Sequence, residues 1–307
     1  MSNDYRLVVK DNALINASFN LSLVEQRLML LAITEARELP ELTIDTRIEI
    51  RVKDYSEQFK VKANNAYEDL KEAVDSLFNR QFSYYDKERD EHLRSRWIHT
   101  SSYIDNKGYL VLFFTPVVIS MISRLQDQFT RYLLDQVSNF KSKYSIRLYE
   151  IVSQWVNNGG LSKKYAIDEL RAMLGLEEDE YKTMSLFKKN VLDKAVKEIK
   201  DKSYLYIEYK QYRTGRSISH IKFSGHHIKP IRFDKPEYTY LLTDKQILMF
   251  ADKLSRDTAF QNHYKAFQGE SYEEYSNNIA MKLSDPFYIK EWMEYLKAVG
   301  YKPKKYQ

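Results

Sequence analysis

YSIRLYEIVSQW (144–155), AIDELRAMLGL (166–176), MSLFKKNVLDKAVKEIKDK (184–202) and SYLYIEYKQYRTGRSISHIKFS (203–224) follow one another in a chain of 307 residues. The first three segments repeat their apolar residues at helical spacing, and the last alternates around a charged tip. Helix, helix, basic helix and two-stranded hairpin is the element order of a winged helix-turn-helix, a module that lays one helix in a DNA major groove.

The basic helix is expected from about Ser185 to Lys200. Leu192, Ala195, Val196 and Ile199 form its core face, and Asn190, Lys194 and Lys197 lie opposite. Lys182, Lys188 and Lys189 sit at or before its first turns, where recognition helices approach bases. Lysine can donate to guanine and asparagine can pair bidentately with adenine. Ser185 and Thr183 suit phosphate contact or capping. The alternative is a solvated lysine face. The hairpin tip, with Arg213 and Arg216 and with His220 and Lys222 behind it, favours DNA, because a basic helix beside a basic wing is a defined docking geometry.

Charge is distributed to match. Residues 1–124 carry a net charge of −2, residues 125–230 of +6 and residues 231–307 of +1, within a chain total of +5. Residues 181–222 alone hold 11 basic against 4 acidic side chains, a footprint suited to phosphates.

Upstream, Ser22 and Glu25 form a capping box for a helix over 22–37. TRIEIRV (46–52) alternates like a strand, Asp54 is placed to cap a short helix to Phe59, and Leu70, Ala73, Val74 and Leu77 line a longer helix. Residues 81–85 read as a strand and DKERDEHLRSR (86–96) as an exposed wing or loop. Trp97–Ile104 and Tyr109–Phe114 flank a turn at Asp105-Asn106-Lys107-Gly108. A shift of 122 residues lays Leu70 on Leu192, Val74 on Val196, Phe82 on Tyr204 and Tyr84 on Tyr206, which suggests a duplicated module. Pro116 opens a short helix, and FTRYLLDQVSNFKSKYS (129–145) reads as a helix or tight linker. HHIKPIRFDKPEYTYLL (226–242) reads as a crossover. Helices are expected after Thr243, over Tyr272–Leu283 and over Pro286–Val299, before a tail with Lys302, Lys304 and Lys305.

The fold expected is therefore α+β: two tandem winged-helix domains related by pseudo-duplication, plus a C-terminal helical extension. The domains are expected at 1–124 (dimerisation, with secondary DNA contact), 125–228 (sequence-specific DNA binding) and 229–307 (helical extension). The long helix of the first domain carries Glu68, Asp69, Glu72 and Asp75, which repel phosphate, so secondary DNA contact there falls to Arg89, Arg94 and Arg96.

Enzyme chemistry finds little support. There is no GxxxxGK[ST] stretch, no HExxH and no cysteine. His226-His227 are adjacent and point to opposite faces of a strand, so they do not make the paired metal ligands of a nickase. No metal, cofactor or catalytic residue is expected. Glu177-Glu178-Asp179-Glu180 reads as a solvated acidic loop. The absence of cysteine, of an N-terminal apolar signal segment and of an apolar run long enough to span a bilayer points to the cytoplasm and to no membrane partner.

FKSKYSIRLYE (140–150), FKKNVLD (187–193) and GRSISHIKF (215–223), with LVVKDNALINASFNLSLVEQRLMLLAI (7–33), resemble the iteron-binding plasmid replication initiators over about residues 5–225. The resemblance implies two winged-helix domains, the second reading direct repeats in double-stranded origin DNA and the first contacting DNA and mediating dimerisation. It implies monomers that help open the origin and engage the host initiator and replicative helicase, in equilibrium with homodimers that repress the initiator's own gene. Lys188, Lys189 and Asn190 fall where the family places base-contacting residues, and Arg216 falls at the wing. Lysine stands where the family often has arginine, which changes how guanine and phosphate are held. A transcriptional regulator without a replication role is the alternative, and a metal-dependent DNA nickase ranks behind it.

Overall fold

The computed structural model of the protein describes residues 6–39, 42–86, 89–104, 108–123, 129–229, 242–266, 270–283 and 286–301. The turn at residues 105–107, most of the crossover after Ile228 and the terminal lysines lie outside these. The chain divides into two compact units, Met1–Ile231 and Arg232–Gln307.

The first unit opens with β1 (Leu7–Asp11), α1 (Asn12–Asn16) and α2 (Leu23–Arg37). The capping box forms as expected. The Ser22 hydroxyl accepts the Glu25 N–H at 3.2 Å, and the Glu25 carboxylate accepts the Ser22 N–H at 2.5 Å. There follow β2 (Ile48–Arg51), α3 (Val52–Phe59) and α4 (Ala63–Asn79), then β3 (Gln81–Asp86), β4 (Glu91–Arg96), β5 (Ile98–Ile104) and β6 (Tyr109–Phe114). Next come α5 (Pro116–Ser123), β7 (Phe129–Leu133) and α6 (Asp135–Ser138). Asp54 does not cap α3: the helix starts three residues earlier, after Arg51, with no side-chain cap.

The remainder of the unit is α7 (Lys143–Val156), β8 (Ser162–Ala166) and α8 (Ile167–Met173), then α9 (Met184–Phe187), a π-helical turn over Lys188–Leu192 and α10 (Asp193–Lys202). It ends in the long hairpin of β9 (Leu205–Thr214) and β10 (Ser217–His227), so His226 and His227 finish a strand rather than start a crossover.

Two three-stranded sheets have matching topology, β2-β6-β5 and β8-β10-β9. In each, a strand after the first helix pairs with the second strand of the hairpin that follows the long helix. This is the winged helix built twice. The match locates an insertion: β3 and β4 pair only with each other as a sheet, so the counterpart of β9 is β5. The 122-residue shift that laid Phe82 on Tyr204 therefore holds through the long helices and fails after them. Residues 129–145 also differ from expectation, because β7 pairs antiparallel with β1, Leu7 opposite Leu133.

Both winged helices share one continuous apolar core, from Val8, Leu30 and Trp97 to Tyr149, Leu192 and Phe223. A buried polar cluster lies where they meet. The Arg147 guanidinium, 1% exposed, donates to the carbonyls of Ile15 (2.7 Å), Ala17 (3.0 Å) and Met173 (2.7 Å) and pairs with Glu150 at 3.1 Å. Glu150 also accepts from the Lys10 ammonium at 2.7 Å and from the Tyr132 hydroxyl at 2.6 Å. Burial alone would raise the Glu150 carboxyl, but the Lys10 and Arg147 charges hold it below its usual value. Gly175 completes the seam. Its φ is +72°, and a Cβ there would sit 1.9 Å from the Phe19 carbonyl oxygen.

The second unit packs α11 (Asp244–Arg256), α12 (Thr258–His263), α13 (Tyr272–Leu283), α14 (Pro286–Glu291) and α15 (Met293–Ala298) around Phe250, Leu254, Phe260, Leu283, Trp292 and Leu296. Thr243 and Gln246 form a capping box for α11. The helix expected over Pro286–Val299 is split at Trp292, whose buried ring meets Phe260 edge-on at 5.0 Å.

Candidate nucleic-acid interface

The long helix of the second winged helix is one rod, Met184–Lys202, with a π turn in its second quarter. The sequence explains the turn. Phe187 and Val191 are spaced for one apolar face, and Leu192, Ala195 and Ile199 for a face about one residue out of phase. All five are buried. Widening one turn absorbs the extra residue, so Val191 and Leu192 both reach the core.

The widened turn also re-phases the outer surface. Lys182, Ser185, Lys189, Lys194 and Lys197 are exposed, with Leu186 among them, while Lys188 and Asn190 are half-buried on the flanks. The Asn190 side-chain amide donates to the Leu186 carbonyl at 3.1 Å. Lys182, Lys188, Lys189, Lys194 and Lys197 form no ion pair with any described residue. Lys202, one turn beyond them, instead pairs with Glu198 at 2.5 Å.

Several contacts fix this rod. Arg171 of α8 donates to the carbonyls of Tyr181 (3.2 Å) and Glu180 (2.6 Å) and stands 5.4 Å over the Phe187 ring. The acidic loop before the helix is thereby tied down, and Asn20 donates to the Glu177 carboxylate at 3.1 Å from the first winged helix. Glu198 accepts the N–H groups of Lys141 (2.8 Å) and Ser142 (3.1 Å) at the start of α7, and the Ser145 hydroxyl at 2.7 Å. Partial burial would raise this carboxyl, but the hydrogen bonds from Lys202, Ser145 and Lys141 hold it below its ordinary 4.5.

The wing is coupled to the helix. The Tyr209 hydroxyl on β9 donates to Asp193 at 2.5 Å, and burial followed by that carboxylate pushes the phenol's pKa upward. β8 pairs with β10 only over His220–Ser224, so beyond it the hairpin stands as two strands. Arg213 and Arg216 are exposed at the tip and form no ion pair with a described residue. Gly215, φ +61°, takes the first of the two loop positions, where a primed hairpin turn requires φ > 0. His220 lies behind the tip beside a bulge, half-buried, its Nδ1 2.9 Å from the Ser219 hydroxyl oxygen. The helix residues, Arg213 and Arg216 thus belong to one pinned helix-and-wing assembly.

The first winged helix differs. Glu68, Asp69, Glu72 and Asp75 are exposed along α4. Of the three arginines expected to contact DNA there, Arg96 donates to the Phe78 carbonyl at 2.8 Å, Arg89 stands 3.8 Å from Asp86, and Arg94 projects into solvent. Arg94 and Arg96 share a face of β4, two residues apart.

Among the described residues no three carboxylate or imidazole groups converge as a metal site. His226 packs against Tyr206 at 5.1 Å, and His227 meets the Asn157 side chain at 2.8 Å. Among the described residues no helix is long and apolar enough to cross a membrane.

Residues 7–153 match the family description "Initiator Replication protein, WH1", and residues 166–224 match "Initiator Rep protein, WH2". The PI protein of Escherichia coli is 27% identical over 243 residues, 69% of this chain and 80% of that protein. A second Escherichia coli relative, an uncharacterized 27.6 kDa protein, is 27% identical over 212 residues, 66% of this chain and 88% of the relative. The crystal structure of Pi initiator protein in complex with iteron DNA is similar with a TM-score of 0.61 and 25% identity, covering 73% of this chain and 98% of that one.

Proposed function

The chain belongs to the initiator Rep proteins, with their WH1 and WH2 domains, and from that membership we propose that it starts plasmid replication by binding direct repeats at an origin. The observation that carries the DNA-reading step is the exposed Lys182, just before the rod, and Lys189, Lys194 and Lys197 on it, none ion-paired to a described residue, with the rod's inner face locked into the core. Unpaired cations on a fixed helix release phosphate counterions without first breaking ion pairs. The similar Pi initiator was crystallised on iteron DNA, which supports the choice of a repeated site.

In this reading the second winged helix supplies base contact through Ser185, Lys189, Lys194 and Lys197, with Lys188 and Asn190 at the flanks and Arg213, Arg216 and His220 along the wing. The first supplies secondary backbone contact through Arg94, Arg89 and Arg96 and forms a homodimer interface. Monomers promote origin opening and engage the host initiator and helicase, while dimers repress the gene. The protein cuts no strand.

Two measurements test it. Fluorescence anisotropy on a duplex selected by the protein from a random pool should give a log–log salt slope near −0.9 per phosphate contacted, so that four to six contacts cost roughly two to three orders of magnitude in affinity between 50 and 200 mM salt. A circle carrying only this gene and its flanking repeats should replicate in a competent host. Specific binding without replication would favour a repressor, and site-dependent nicking of supercoiled DNA would overturn the non-enzymatic reading.

A further inference from the structure

Leu186 is 47% exposed on the outer face of the long helix, in the first turn, where the surrounding surface is serine and lysine. A leucine gains little from water there, and the core lies on the other side: its neighbour Phe187 is 1% exposed. Its backbone is held from both directions. The Leu186 N–H donates to the Thr183 hydroxyl at 3.3 Å, and its carbonyl accepts the Asn190 amide at 3.1 Å across the π turn. The side chain therefore leaves the helix from a fixed point, between Lys182, Ser185 and Lys189.

The cations around it select a polyanion, which identifies the occupant of this surface as DNA rather than an apolar protein face. Along the major groove the apolar feature of a base edge is the C5-methyl of thymine. We propose that Leu186 reads a thymine by contact with that methyl and so sets specificity at one position of the repeat. The assignment rests on the DNA-reading role proposed for this helix. It adds a position at which the lysines cannot discriminate, because an ammonium group gains nothing from a methyl. Asn190, whose amide holds the Leu186 carbonyl, is a positioning residue for the same contact.

The test compares wild type and Leu186→Ala on the selected duplex, with each thymine replaced in turn by deoxyuridine, which removes only the methyl. One substitution should weaken wild-type binding about fourfold, the scale of one buried methyl group. The same substitution should leave Leu186→Ala unchanged, and Leu186→Ala should weaken binding to the thymine duplex by a similar factor. Because Leu186 is exposed, an unchanged thermal midpoint confirms that the fold is intact. Equal responses of both proteins at every thymine, or no wild-type response anywhere, would overturn the assignment while leaving DNA reading by this helix standing. Failure of the wild type to select any consensus would overturn DNA reading itself, and the role of Leu186 with it.

Discussion

The two winged helices have the same strand order and opposite surfaces. In the first, the long helix α4 turns four carboxylates outward, Arg96 is spent on a helix carbonyl and Arg89 lies beside Asp86. In the second, the equivalent rod turns Lys189, Lys194 and Lys197 outward, with no ion pair to any described residue. Each long helix is nevertheless anchored to the first helix of its domain through a carboxylate. In the first domain Glu25 of α2 pairs with Arg80 just beyond α4, at 2.9 Å, and in the second Glu198 of α10 accepts the N–H groups at the start of α7. The scaffold tolerates either polarity. What a winged helix does is therefore decided by the charges it leaves free rather than by its topology.

The largest expected effect comes from breaking the joint between the two. Arg147→Ala would strand three carbonyls in the core and leave Lys10 as the one counter-charge on Glu150, and should cost about 3–5 kcal/mol, read as a fall in the urea midpoint. A change under 1 kcal/mol would mean that the domains hold together without it. Next, Lys189→Glu with Lys194→Glu should lower affinity for the selected duplex about a hundredfold with the fold intact, while charge reversal at Glu72 and Asp75 should not lower it at all. Equal losses from both pairs would erase the functional distinction between the domains. A smaller effect is expected at the wing. Gly215→Val forces a β-branched residue to φ +61° and should weaken binding about fivefold with little change in overall stability.

The smallest is a pH effect. Glu25 and Glu198 both have folded-state values below their ordinary 4.5. Their stabilising contribution is complete above the unfolded value and fades as pH falls through the folded one. Glu198→Gln should therefore flatten the acid limb of the stability curve below about pH 4.5, by a few tenths of a kcal/mol given its partial exposure. An unchanged limb would mean that the anchor at α7 does not depend on charge.

Local patterns carried much of this to the reader of the sequence. Ser22 and Glu25, Thr243, the apolar face of Leu70, Val74 and Leu77, and the RTGR tip each have a short-range cause, and each formed as read. What escaped depends on distant partners. Residues 129–133 pass for part of a helix until β1, more than a hundred residues away, is there to pair with them. Alternation marked 81–85 as a strand but could not tell that its edge is closed by residues 91–96 rather than by the domain's main sheet. The π turn has no local signature: adjacent Val191 and Leu192 are both apolar and buried, but so are Ala73 and Val74 in the unbroken helix α4. Lys10 and Arg147 escaped because charged side chains are rarely core residues, and only their convergence on Glu150 makes them so.

The pairing of β1 with β7 also sets a timetable. On the ribosome the strand Leu7–Asp11 is made well ahead of its partners: its neighbour Phe129–Leu133 and the carboxylate that neutralises Lys10 arrive only after some 120 to 140 further residues. Closing so long a loop is slow compared with forming the local helices α2 and α4. The strand Leu7–Asp11 must therefore wait, its edge open, until most of α7 has emerged. The first winged helix is begun first, and its completion coincides with the founding helix of its neighbour.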